Sequence, residues 1–131
     1  MYDKDMTEAQ KQRLSATQYA VLVEKATETP FSGEFVSHTD AGTYSCAACG
    51  NILFYSSTKF DAHCGWPSFY DARPGSVTFV DDNSHGMQRT EVVCAHCQGH
   101  LGHVFDDAPD QPTGQRYCIN SVSLSFKGLD T

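Results

Sequence analysis

Cys46-Ala47-Ala48-Cys49-Gly50, matched further along the chain by Cys94-Ala95-His96-Cys97, is the stretch on which the fold turns. Four thiolates in two close pairs, brought together by folding, make a tetrahedral sulfur site that suits zinc and leaves the metal no open position. Residues 50–93 lie between the pairs, so the metal would tie two distant hairpins together rather than close a compact finger. Gly50 is the residue expected just past a metal knuckle, where the backbone turns its amides toward sulfur. Haem attachment is excluded, because Gly50 and Gln98 rather than histidine follow the pairs. A redox Cys-x-x-Cys would account for one pair and leave the other unexplained. Two of the six cysteines remain, Cys64 and Cys118, in Cys64-Gly65-Trp66-Pro67-Ser68-Phe69 and Arg116-Tyr117-Cys118-Ile119-Asn120-Ser121. The cysteines thus divide into a staple and a redox pair.

The chain has 131 residues, which predicts one domain over 1–131 with a core small enough to benefit from a metal staple. A net charge of −7 opposes nucleic-acid binding, which wants a basic face. Residues 1–30 show no signal peptide: the apolar run 19–23 is short and flanked by Gln18 and Glu24. No stretch approaches transmembrane length, so no membrane partner is expected. The expected setting is therefore a reducing one, the cytoplasm, where cysteine patterns imply metal or catalysis more often than disulfide frameworks.

Thr7-x-x-Gln10 and Ser15-x-x-Gln18 are successive capping boxes and predict two short helices within 1–30. In the second, Ala16, Tyr19, Ala20 and Val23 fall at helical spacing and should form the packed face, with Thr29-Pro30 ending the helix. From residue 31 to 127 the chain changes to short β-branched and aromatic runs, 43–46, 52–55, 76–80, 89–94 and 117–126, separated by Gly, Pro, Asp and Asn. This predicts antiparallel β structure. In the last run Val122, Leu124 and Phe126 alternate with Ser121, Ser123 and Ser125, one face buried and the other polar. The same parity runs back through Asn120, Cys118 and Arg116. A regular strand would point carboxamide, thiol and guanidinium the same way, about 6.6 Å apart.

His100 and His103 sit in Gly99-His100-Leu101-Gly102-His103-Val104-Phe105-Asp106-Asp107, a Gly-rich turn entering a strand. Either is a candidate zinc ligand, but four thiolates already meet that need, and imidazole is the side chain best suited to donate a proton at neutral pH. His38, His63, His85 and His96 read as surface or locally bonded residues. Trp66, the only tryptophan, is either a core aromatic or a rigid site wall held by Pro67. Cys64 is either an inert buried thiol or, in its Gly/Pro-bounded loop, a reactive one.

These segments, with Ser84-His85-Gly86-Met87-x-Arg89-x-Glu91, occur in family order from about residue 15 to 126 and resemble the B-type methionine sulfoxide reductases, which act on the R epimer. The resemblance implies a mainly β fold of two packed antiparallel sheets with short N-terminal helices. It implies Cys118 as nucleophile, Cys64 as resolving cysteine, and His100, His103 and Asn120 around the sulfoxide oxygen. Arg116 would lie beside the nucleophile, while Trp66 and Phe105 would contact substrate. Cys46, Cys49, Cys94 and Cys97 would hold a structural zinc. It further implies protein-bound methionine R-sulfoxide as substrate, a Cys64–Cys118 disulfide, and thioredoxin as reductant. His63 departs from the small residue expected before the resolving cysteine. Chemistry agrees: sulfoxide oxygen leaves only when protonated, so a site needs a thiolate, an acid and an apolar pocket for a thioether. Arg116 would lower the Cys118 pKa. The competing reading is a non-catalytic zinc-stapled β binding module, which has no use for an Arg-x-Cys-x-Asn face beside His100-x-x-His103.

Overall fold

The computed structural model describes residues 6–128, the side chain of His85 excepted, so the expectation for His85 and the outermost residues of the 1–131 domain lie outside the described residues. Both capping boxes form. Thr7 caps α1 (Glu8–Arg13) and Ser15 caps α2 (Ala16–Leu22), each hydroxyl accepting from the N3 backbone while the N3 glutamine accepts from the cap. The packed face of α2 is not the one its spacing predicts. Val21 and Leu22 are buried, whereas Ala16 and Tyr19 are exposed. A helix of barely two turns presents a corner rather than a stripe, and the aliphatic residues at its C-terminal end, Val21 and Leu22, take the contact with β7 and the 121–123 turn. Nor does α2 run to Pro30. Lys25 adopts φ 64°, and the Lys25 and Ala26 N–H groups return to the Val21 and Ala20 carbonyls, turning the chain away.

Nine strands follow: β1 (Gly42–Cys46), β2 (Ile52–Tyr55), β3 (Lys59–Phe60), β4 (Ser68–Phe69), β5 (Val77–Asp82), β6 (Arg89–Cys94), β7 (His100–Phe105), β8 (Arg116–Ile119) and β9 (Leu124–Gly128). They form a three-stranded sheet, β2-β1-β9, and a six-stranded sheet, β3-β4-β8-β7-β6-β5, with every pairing antiparallel. Aromatic side chains fill the space between them. Phe54 stacks on Phe69 at 4.3 Å, and Tyr44 meets Phe69 edge-on at 5.2 Å. Leu53, Val92, Leu101, Ile119 and Leu124 complete the core. Each large apolar side chain buried there stabilises the fold by about 1.5–3 kcal/mol.

The run 117–126 is not one strand. A 3-10 turn at Ser121–Ser123 divides it, and β8 and β9 enter different sheets. The expected serine-out parity fails here: Ser121 and Ser123 are buried, and Val122 is only half-buried. Two bonds hold the buried hydroxyls: Ser121 Oγ accepts from the Phe35 N–H at 3.1 Å, and Ser123 Oγ donates to the His100 carbonyl at 3.0 Å. Alternating apolar residues specify a strand wherever one face is buried, but they carry no signal that the chain changes sheets between two of them. The two-residue strands β3 and β4 were likewise too short to show a period.

Candidate active site and metal centre

Folding brings together Cys46, Cys49, Cys94 and Cys97, whose two pairs are far apart in the sequence. The two Cys-x-x-Cys pairs fold into near-identical knuckles. In one, the Gly50 N–H donates to the Cys46 carbonyl and the Cys46 N–H to Asn51; in the other, Gln98 donates to Cys94 and Cys94 to Gly99. The residue just after each pair has positive φ, 83° at Gly50 and 64° at Gln98. The knuckles cap the β1–β2 and β6–β7 hairpins, so the cluster ties the small sheet to the large one. All four sulfurs lie within 4.8 Å of one another, with Cys46–Cys97 at 3.6 Å and Cys49–Cys94 at 3.5 Å. A tetrahedron with metal–sulfur bonds of about 2.3 Å spaces its sulfurs about 3.8 Å apart, so the donor set fits a zinc-sized ion. Behind it the Asn51 amide points at Cys94 Sγ at 3.6 Å and is held by Arg73 at 2.8 Å.

The second cluster grows out of strand register. Residues directly opposite in an antiparallel ladder point to the same face. Ser68 faces Cys118, Cys118 faces His103, and His103 faces Glu91 across β4, β8, β7 and β6; one step along, Arg116 faces Phe105 and Arg89 faces Asp82. A chemical row therefore crosses the outer face of the large sheet, while Tyr117, Ile119 and Phe69 point into the core. His100 reaches this face only through a bulge. Val92 pairs with Gly102 but Val93 pairs with His100, so Leu101 is an extra residue, and the two imidazoles end with ring centroids 5.6 Å apart. Gly102 is required for a different reason: a Cβ there would overlap the Cys118 carbonyl oxygen across the ladder.

Cys64 arrives from the loop before β4, which turns through His63 (φ 56°) and Gly65 (φ 92°). The left-handed conformation at position 63 explains why a small residue is the easier choice there. Cys64 Sγ lies 3.5 Å from Cys118 Sγ and 3.2 Å from Ser68 Oγ. The Phe31 N–H donates to the Gly65 carbonyl at 2.7 Å, tying this loop to the N-terminal segment. Glu28 is the knot of that segment. Its N–H donates to Asn120 Oδ1 at 3.0 Å, its carbonyl accepts from Trp66 Nε1 at 3.0 Å, and its carboxylate accepts from the Val122 N–H at 3.1 Å. Asn120 Nδ2 donates in turn to the Leu101 carbonyl at 2.9 Å. So Asn120, although outside β8, is held beside Cys118 by the bulge itself.

A cavity of about 270 Å³ opens on this row. Cys64, Trp66, His103, Phe105, Arg116, Cys118 and Asn120 all line it, as do Arg89, which the sequence reading quoted in a motif but gave no role, and Thr27, which it did not name. His100 does not line it. Its ring is buried, with Nδ1 on Glu91 Oε2 at 2.7 Å, and Lys25 Nζ holds the same carboxylate at 3.3 Å. Burial depresses the His100 pKa, so this imidazole is neutral at pH 7. A larger groove of about 480 Å³ adjoins the cavity and shares Cys64 and Trp66 with it.

Arg116 is less free than its position on the strand implied. Its Nε and Nη2 grip both oxygens of Asp107 at 3.0 and 2.9 Å, and its guanidinium lies 4.4 Å over the Phe105 ring. The expectation that it lowers the Cys118 pKa meets a larger opposing effect. The hydrogen bond to Cys64 and burial push the Cys118 thiol up, with Arg116 opposing. Cys64 is the sulfur drawn down, to about 5, by the Cys118 thiol first and by Ser68 as well. The two sulfurs, at hydrogen-bond distance, therefore shift in opposite directions: Cys64 is drawn toward the thiolate and Cys118 away from it. Asp82 was silent in the sequence, and Asp107, Glu91 and Ser68 stood in its motifs without a role, because an isolated acid or serine gains meaning only from its register partner.

The SelR domain family matches residues 14–128 of this chain. A protein of Bradyrhizobium diazoefficiens named peptide methionine sulfoxide reductase MsrB is 60% identical over 120 residues, covering 89% of this chain and 84% of its own length. A Methanosarcina mazei protein of the same name is 56% identical over 117 residues, 88% of this chain and 83% of its own. Mouse methionine-R-sulfoxide reductase B3, mitochondrial, is 52% identical over 122 residues, and the chain spans about half of it, 48%.

Proposed function

The chain belongs to the SelR-domain family and is a methionine-R-sulfoxide reductase, and from that premise we propose that Cys118 attacks the sulfoxide and Cys64 resolves the product. The observation that carries this reading is the 3.5 Å approach of the two sulfurs at a cavity that Trp66 and His103 also line. Bound with its methyl against Trp66, the sulfoxide meets Cys118 through its electrophilic sulfur. The proton that Cys118 holds passes to Cys64, and the resulting Cys118 thiolate forms the new bond to sulfur. His103 protonates the oxygen, which migrates to Cys118 as the Cys118–sulfur bond breaks, so the neutral thioether departs and Cys118 is left as a sulfenic acid. Cys64 then displaces that oxygen as water, giving the Cys64–Cys118 disulfide. The balance is two thiols and a sulfoxide in, one disulfide, one thioether and one water out.

A protein dithiol of the thioredoxin type would return the disulfide to thiols by exchange. Protein-bound methionine sulfoxide is the favoured substrate, because the adjoining 480 Å³ groove gives room for chain on either side of the oxidised residue. Cys46, Cys49, Cys94 and Cys97 would hold one zinc, which supplies a cross-link between the sheets and no chemistry at the cavity. No described helix is long and apolar enough to cross a membrane. The test is turnover of stereopure R and S methionyl sulfoxide peptides with dithiothreitol. Reduction confined to R is expected, since wall, acid and nucleophile fix three directions at a chiral sulfur. Comparable turnover of both epimers would contradict the pocket.

A further inference from the structure

Two imidazoles lie near the reacting sulfurs, and each is backed by a different carboxylate. His100 is buried against Glu91, whose charge Lys25 shares. His103 instead lines the cavity, and its Nε2 lies 2.8 Å from Asp82 Oδ2. The strand register explains how a β5 residue reaches a β7 ring. Asp82 pairs with Arg89, one step along from the Glu91–His103 pair, and its side chain lies on the diagonal. The other oxygen is already committed: Asp82 Oδ1 accepts from the Ser84 N–H at 3.0 Å and the Ser84 Oγ at 2.7 Å. Arg89 Nη2 stands 3.6 Å from Oδ2, at ion-pair range. Asp82 is thereby held well below the usual carboxylate range, chiefly by Ser84 and then by His103.

We propose that Asp82 is the positioning residue of the reaction: its carboxylate fixes the His103 proton on Nε2 and so leaves Nδ1 to serve the sulfoxide oxygen. An ionised carboxylate only accepts hydrogen bonds, so the ring nitrogen facing it must carry hydrogen. In the neutral ring that leaves a lone pair on Nδ1, and the proton gained on charging sits there. The charged and titratable groups facing His103 are Asp82 from β5, Arg89 and Glu91 from β6, His100 on its own strand, Cys118 and Arg116 from β8, and Cys64 from the loop. Of these Asp82 alone is hydrogen-bonded to the ring. The Glu91–His100 pair cannot substitute, since its imidazole is shut away from the cavity. The inference rests on the reductase reading above, and its first test does not use activity.

That test is ¹⁵N NMR of the imidazoles in the intact zinc-loaded protein, at a pH where His103 is neutral. The expected signature is the Nε2–H tautomer at His103; an Nδ1–H tautomer would overturn the proposal with no variant required. Asp82→Asn is the second test. Ser84 supplies two donors at the Oδ1 position, so the carboxamide must place its oxygen there and turn its NH₂ toward His103. Nε2 then has to accept, and the ring should switch to Nδ1–H. Single-turnover reduction of an R-sulfoxide peptide should fall about 10²-fold, the scale of a lost general acid, while substrate KM stays near that of the parent protein. A merely structural Asp82 would leave the tautomer unmoved. Parent-like single turnover in folded Asp82→Asn would sink the proposal. A parent protein that carries the Nε2–H tautomer yet reduces no R-sulfoxide would instead refute the reductase reading alone.

Discussion

Cys64 Sγ and Cys118 Sγ stand 3.5 Å apart, although one comes from a loop and the other from the centre of a sheet. A disulfide bond is about 2.05 Å long, so the sulfurs need to close by only about 1.5 Å, within reach of side-chain rotation. One equivalent of R-sulfoxide should therefore leave a single new cross-link joining peptides that contain residues 64 and 118. Peptide mapping that finds the bond within or between the Cys-x-x-Cys pairs would place the redox chemistry at the wrong cluster.

The opposed shifts of the two thiols give a pH signature. With the Cys64 thiol drawn down to about 5, it is ionised at pH 7, whereas an ordinary cysteine is mostly a thiol there. Alkylation by iodoacetamide at Cys64 should stay nearly flat from pH 8 to about pH 6. Below the folded pKa it should fall about tenfold per unit. The linkage has the same sign: a depressed acid adds stability at pH above its unfolded value, and that stability is lost as pH falls toward 5. A Cys64 alkylation midpoint near 8.5 would show that the hydrogen bonds from Cys118 and Ser68 do not stabilise the anion.

Zinc should be present at about one ion per chain in protein prepared without chelators. Cys94→Ser removes a buried candidate ligand and should cost a large part of the metal-linked stability, which for structural zinc sites is about 10–16 kcal/mol of binding free energy. Activity should fall only as the fold is lost. A stable, metal-free and fully active Cys94→Ser protein would show that the cluster is not a staple.

Gly102 makes the backbone of β7 close enough to β8 to set the height of Cys118. Gly102→Ala forces its methyl onto the Cys118 carbonyl. Overpacking of this kind costs roughly 1–3 kcal/mol, and an ångström of displacement at a reacting atom costs roughly 10²-fold in rate. Thermal unfolding and single turnover should both register it. An alanine that changes neither would mean the strands can part without moving the thiol.

Much of this molecule was legible in its sequence, and the illegible parts share a cause. The capping boxes are local, and both formed where Thr7 and Ser15 predicted. The Cys-x-x-Cys knuckles are local too, and their meeting follows from the sulfur chemistry of one tetrahedron. Strands 52–55 and 89–94 ended where their composition does. What failed was the parity of 121–126, because a 3-10 turn sends β9 into the other sheet. The packed face of α2 failed because a helix of barely two turns meets β7 and that turn with its C-terminal corner rather than a stripe. In the cavity, Arg116 and Cys118 came from strand reading, and His103 from its Gly-rich segment and the chemistry of imidazole. The carboxylates Asp82, Glu91 and Asp107 did not, because each works through a residue far along the chain. The direction of the Cys118 pKa shift, up rather than the expected down, also depended on a contact far along the chain, the one with Cys64.

The central claim is the order of the two cysteines, and it is a sharp question because Cys64, not Cys118, is the sulfur drawn toward the anion. Single-turnover release of methionine from an R-sulfoxide peptide, measured in Cys64→Ser and Cys118→Ser with dimedone present, tests it most directly. The account predicts that Cys64→Ser releases one methionine per enzyme and is trapped as a dimedone adduct on Cys118, while Cys118→Ser releases none. Release by Cys118→Ser with the adduct on Cys64, and none by Cys64→Ser, would contradict it and make Cys64 the nucleophile.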